Sequence, residues 1–237
     1  SRAVRPGGRG LAGRDWPDVR GVIDGGLGVM QHVEFVVFQP IQGEMPAPVP
    51  AAPAKLTPAT AIILAAFKRY MVFATSVEIT FVEAHKLAYF IQTLGVPLKL
   101  QFAAWRYGPY AKNLLHVFSG MEGAYIQGFR DGTAKAFDGF TLLPPADSSD
   151  DIIAASQYRD VLTRLENLIE GFESPTGLEL LATVHWLAKE GTPLEFSAMN
   201  AAIGNWCKNR DGWGDRKKRI FSDSDLEIGI ERIRTIL

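Results

Sequence analysis

Residues 86–118, KLAYFIQTLGVPLKLQFAAWRYGPYAKNLLHVF, decide how this chain is read. Ala84, Leu87, Ala88, Ile91 and Leu94 recur three and four apart, the spacing of one apolar helix side. Thr80 and Glu83 form a capping-box pattern at its start. Gly95, followed by Pro97, ends it. A short alternating run over 98–102 then leads to a rigid turn, Tyr107-Gly108-Pro109-Tyr110. A second helix follows, with Ala111, Leu114, Leu115 and Phe118 on one side. The stretch offers no nucleophile beside a base. Its aromatic and polar surface has the composition of an interface anchor.

Working outward, Pro58 opens a helix over 58–74, since proline fits the first helical turn. Before it, Pro46, Pro48, Pro50 and Pro53 stand among alanines, which forbids a stable helix and predicts an extended linker over 41–57. Downstream, residues 139–145 predict a short strand paired with 98–102. An acidic run over 147–151 leads into a helix over 156–172. Ser174 and Pro175 cap and start a helix reaching residue 189. A last helix covers 223–237, capped by Ser222 or Ser224. Residues 58–237 therefore read as a mainly α domain with a small β-hairpin-like strand pair.

The chain has 237 residues, 47% of them hydrophobic, and a formal charge of -1. That balance gives no electrostatic footprint for nucleic acid or an anionic membrane. Direct nucleic-acid binding is not expected. Cys207 is the only cysteine, which excludes disulfide frameworks and cysteine-based zinc sites and predicts a reduced, cytoplasmic setting. No signal-peptide pattern opens the chain, and no apolar run reaches the roughly 20 residues a spanning helix needs.

Residues 3–16 read AVRPGGRGLAGRDW, and a strand-like run follows at Val33-Glu34-Phe35-Val36-Val37-Phe38. Closely spaced glycines let a loop lie against a diphosphate, and Asp15 can cap a helix behind it. The segment resembles, at matching spacing, the end of an ADP-ribose-processing macrodomain. The resemblance makes Gly8, Gly10, Gly13 and Asp15 the remnant of an ADP-ribose loop, with a vestigial ADP-ribose contact. Residues 16–27 and 33–38 would be the last helix and strand. Leu11-Ala12 stands where that family often carries a catalytic acid, and its earlier strands and catalytic lysine are absent. Residues 1–40 thus read as an incomplete α/β macrodomain remnant.

Macrodomain end, proline linker and YGPY domain follow in the order found in DarG antitoxins, which the chain resembles as a family. The resemblance continues in residues 121–128, in 172–187 and in Trp213 to Phe221. More distantly, the region from the capping box to YGPY is similar to Panacea (SocA-like) antitoxin domains. What the resemblance implies is an antitoxin that forms a heterodimer with a DarT-like DNA ADP-ribosyltransferase and occludes its single-stranded-DNA site by DNA mimicry. No enzymatic activity, cofactor or metal is expected. The alternative is part of a DNA ADP-ribosyl glycohydrolase whose catalytic part is truncated.

The toxin-binding candidates are Tyr107, Tyr110, Asn113, His116, Glu122 and Tyr125. Asn113 and His116 share a helix side one turn from Tyr110, either as a recognition surface or as a solvated polar face. Glu122 beside Tyr125 could replace a phosphate, as could Asp147, Asp150 and Asp151. Basic residues 216–219 lie among aspartates and read as a charge-balanced surface. His185, inside an apolar helix, reads as a hydrogen-bonded core residue.

Overall fold

The computed structural model describes residues 56–236 apart from Asp131, Ala155 and Asp211. The glycine loop, the expected macrodomain helix and strand, and the proline linker up to residue 55 lie outside the described residues.

Helix α1 (Pro58–Phe73) begins on Thr57, whose Oγ1 accepts the Thr60 amide hydrogen at 3.2 Å, with Pro58 in the first turn. Residues 61–67 are all buried, so the helix is covered on every side, as its unbroken apolar sequence requires. Helix α2 (Phe81–Thr93) is as deeply enclosed, and its buried set includes Glu83, His85 and Lys86. Thr80 and Glu83 form the expected capping box, and the Tyr70 hydroxyl donates to Glu83 at 2.6 Å. Cap, carboxylate and α1 are thereby joined.

Three small antiparallel pairings surround these helices. Strand β1 (Ile79–Thr80) pairs with β5 (Gly139–Leu142), which also pairs with β4 (Ile126–Gln127), giving the order β1-β5-β4. The expected partnership of 139–145 with 98–102 is therefore corrected. Phe140 sets this order: it enters the ring cluster of Phe67, Phe81 and Phe118, with centroids 5.0 to 5.8 Å away. Strand β2 (Phe102–Trp105) instead forms a hairpin with β3 (Gly108–Ala111), in register Trp105↔Gly108 through Phe102↔Ala111. The YGPY stretch is thus mostly strand, and the turn itself is Arg106-Tyr107. Gly108, at φ +89°, takes the left-handed conformation that lets the chain leave this turn.

Helix α3 (Leu114–Met121) buries Leu114, Phe118 and Met121. Helices α4 (Ser148–Ala154) and α5 (Arg159–Ile169) pack on α1, where Lys68 bridges Asp147 and Asp150 at 2.7 and 2.8 Å. Helix α6 (Pro175–Lys189), capped by Ser174, buries residues 178–185 against α2. Helices α7 (Phe196–Gly204), α8 (Trp213–Ile220) and α9 (Asp223–Arg234) close that side, α9 on its Ser222 cap. A Cβ on Gly214 would lie 2.1 Å from the Gly204 carbonyl, so α7 and α8 cross as closely as they do because residue 214 is glycine. The described residues are mainly α with small antiparallel pairs. No described helix is long and apolar enough to cross a membrane.

Candidate functional site

The β2–β3 hairpin lies where α2, α6 and α8 meet, and polar groups pin it at three points. Lys86 donates to the Pro109 carbonyl at 2.7 Å, and Trp206 Nε1 donates to the Trp105 carbonyl at 2.8 Å. The Arg216 guanidinium lies 4.7 Å from the Tyr107 ring centre, within cation–π range.

Behind these contacts sits a buried charge cluster. Glu179 accepts from Lys217 Nζ at 2.7 Å and from Arg216 at 2.7 and 3.2 Å. Lys217 also donates to Thr183 Oγ1, which itself donates to the Glu179 carbonyl. Lys86, Glu179 and Lys217 are each at most 1% exposed. Desolvation penalises the charged form of any buried base. Burial therefore pulls the Lys86 ammonium down to about 7, with Glu179 opposing and Lys217 adding to the fall. It lowers Lys217 as well, though Glu179 supports that charge directly.

A cleft of about 310 Å³ opens beside the hairpin, walled by His85, Trp105, Tyr107, Tyr110 and Lys135. His85 stacks on Tyr110 with ring centres 4.5 Å apart and planes at 15°. Burial lowers its imidazole to about 3, helped by Lys86 and opposed by the Phe81 and Ala111 backbone. Trp105 is 46% exposed and meets Trp213 edge-on at 5.3 Å, while Arg210 lies 5.5 and 5.8 Å from those two rings.

Tyr107 and Tyr110 are together in this cleft, and the other candidates are elsewhere. His116 is exposed and lines a second, shallower cleft with Thr57, Thr60 and Tyr125. Tyr125 itself is 7% exposed and belongs to the core. Asn113 is occupied in fixing the preceding loop: its Oδ1 accepts from Gln101 and its Nδ2 donates to the Lys99 carbonyl, both at 3.0 Å. Glu122 accepts the amide hydrogens of Gly128, Phe129 and Arg130, closing the loop before β5. Asn113 and Glu122 thus anchor loops, and Tyr125 packs in the core. Asp147 and Asp150 are likewise committed to Lys68. His185 shares a 2.7 Å hydrogen bond with the Tyr89 hydroxyl, and burial lowers its imidazole to about 4. Among the described residues, no three of His, Cys, Asp and Glu converge as a metal site requires.

Residue types alone did not expose Glu179, Thr183 and Lys217. Glu179 and Thr183 lie four apart on one helix side, a visible signal, but their cation is 34 residues further on.

No protein-family model matches the chain. A protein of Thermus aquaticus named DNA ADP-ribosyl glycohydrolase is 34% identical over 239 residues, 98% of this chain and 62% of its own length. Proteins of the same name from Mycobacterium bovis and Mycobacterium tuberculosis are 32% identical over 98% of this chain and 68% of theirs. The chain belongs to the DNA ADP-ribosyl glycohydrolase family. This membership carries the DarG resemblance as far as the glycohydrolase name. It overturns the expectation that the chain is no enzyme, because proteins named as glycohydrolases align with 98% of it. Within the family, the chain spans about two thirds of the relatives' length.

Proposed function

We propose that the chain serves as part of a DNA ADP-ribosyl glycohydrolase, releasing ADP-ribose from modified DNA. The observation that carries this reading is identity of 32–34% to proteins of that name along 98% of the chain. The glycine loop of Gly8, Gly10, Gly13 and Asp15 is the natural contact for the ADP-ribose diphosphate, by its resemblance to a macrodomain loop and by the close approach that glycine permits. The helical domain then supplies recognition. The test is to incubate the full chain with an ADP-ribosylated single-stranded oligonucleotide and follow ADP-ribose release by chromatography. Release above the rate without protein is expected. No release from folded protein at enzyme concentrations equal to substrate would refute the assignment.

The exposed ring surface favours a second reading for the helical domain, the binding and blocking of a DarT-like ADP-ribosyltransferase. Trp105 and Phe137 are 46% and 50% exposed, and Tyr107, which meets Phe137 edge-on, has Arg106 and Arg216 at 5.5 and 4.7 Å from its ring centre. Aromatic and arginine side chains of this kind dominate interface energetics. Interferometry with the purified transferase should show a one-to-one complex that Trp105→Ala weakens. Equal binding by that variant would remove the hairpin face from the interface.

A further inference from the structure

His85, 3% exposed, lines the cleft and carries a polar atom that the protein leaves unanswered. Its Nδ1 lies 2.7 Å from the Phe81 carbonyl, which can only accept, so Nδ1 holds the hydrogen. Nε2 is then an acceptor that no donor of the described residues meets. The lowered pKa keeps the ring neutral and the lone pair free at ordinary pH. Buried acceptors without a donor are uncommon and call for an explanation.

Two further observations lie in the cleft and at its rim. Rings run outward from His85 to Tyr110, Trp105 and Trp213, with successive centres 4.5, 6.3 and 5.3 Å apart. The charge is of one sign: Lys135 lines the cleft with no carboxylate among the described lining residues, and Arg106 and Arg210 lie over the rim rings. The overall charge of -1 averages this patch away. Flat rings interleaved with cations suit a ligand that is planar at one end and anionic at the other. A volume of about 310 Å³ lies at the lower end for ligand pockets.

We propose that this cleft binds a nucleotide, its base lying on the Tyr110 and Trp105 rings and donating an N–H to His85 Nε2, its phosphate facing Lys135 and Arg210. Free nucleotides and single-stranded nucleic acid share this chemistry. The proposal does not rest on the glycohydrolase reading, since base binding and ADP-ribose release are measured separately.

The test uses the full chain labelled with ¹⁵N-histidine. It is titrated with the four deoxynucleoside 5′-monophosphates, a mixed single-stranded oligonucleotide and an abasic oligonucleotide of equal length. Tryptophan fluorescence gives affinity, and the His85 Nε2 resonance reports hydrogen-bond donation. Binding is expected to move that resonance. Trp105→Ala removes an exposed ring and should weaken binding about tenfold, as loss of one stacking platform does. Arg210→Ala serves as the second variant if circular dichroism shows Trp105→Ala to be misfolded, and should weaken binding several-fold. Saturation by a mononucleotide supports a free-nucleotide ligand, and saturation by the oligonucleotide alone supports a strand. Equal affinity for the abasic strand with an unmoved Nε2 would mean phosphate attraction only and overturn the proposal, as would no binding at all.

Discussion

Helix α2 takes part in two differently built regions, and the contrast separates what folds the domain from what positions its surface. On one side Phe81 meets Phe118, Phe129 and Phe140 at centroid distances of 5.0 to 5.6 Å, in a cluster completed by Phe67. On the other, Lys86 reaches the hairpin backbone beside the Glu179–Lys217–Arg216 cluster. Burial of rings is favourable and nearly non-directional. A buried ion pair adds little net stability, because desolvation offsets the Coulombic gain, but its hydrogen bonds fix geometry. The ring cluster therefore determines that the domain folds. The charge cluster determines where Trp105, Tyr107 and Tyr110 stand.

The largest effect should come from breaking the ring side. Phe118 is fully buried and meets Phe67, Phe81, Phe129, Phe140 and His85. Phe118→Ala should cost about 3–5 kcal/mol by urea denaturation, as a large core truncation does. A cost below about 1 kcal/mol would remove the cluster from the centre of the account.

A smaller effect, in pH dependence, sharpens the comparison from the charged side. Lys86 titrates near 7 in the fold against 10.5 when unfolded, so the unfolded chain holds more protons between those values. Stability should accordingly rise with pH across that window, by at most about 1.4 kcal/mol per unit. Lys86→Met should flatten the rise, and an unchanged slope would contradict the assignment. The histidines act at the other end of the scale. His185 and His85 titrate near 4 and 3 when folded against 6.5 unfolded, so their contribution is lost as pH falls from 6.5 towards those values. Phe118→Ala should lower stability at every pH while keeping the Lys86 slope.

Local signals were legible in the sequence. The Thr80–Glu83 capping box, the Ser174-Pro175 start and the Ser222 cap act within four residues, and each stands where the residue types put it. The strand pairing was not legible, because two-residue strands such as β1 and β4 carry no pattern, and their shared partner β5 is placed by the contact of Phe140 with Phe67 and Phe81. Helix α8, WGDRKKRI, reads as part of a charge-balanced surface, yet Lys217 within it is wholly buried against Glu179. Its core role depends on a partner on another helix. Tyr107 and Tyr110 stand out in the sequence as aromatic residues around Gly108-Pro109, and the structure places both beside one cleft. Glu122 and Asn113 look equally free in one dimension, and only loop closure shows their oxygens to be engaged.

A double-mutant cycle on Glu179→Gln and Lys217→Met tests most directly the claim that the hairpin support is one charge unit. Glu179→Gln strands the buried Lys217 and should cost about 3–5 kcal/mol by urea denaturation, whereas Lys217→Met leaves Glu179 paired with Arg216 and should cost less. The double variant removes both charges and should cost far less than the sum, with a coupling energy of about 2 kcal/mol or more. Additive costs would show that Glu179 and Lys217 stabilise the domain independently, and would contradict the account.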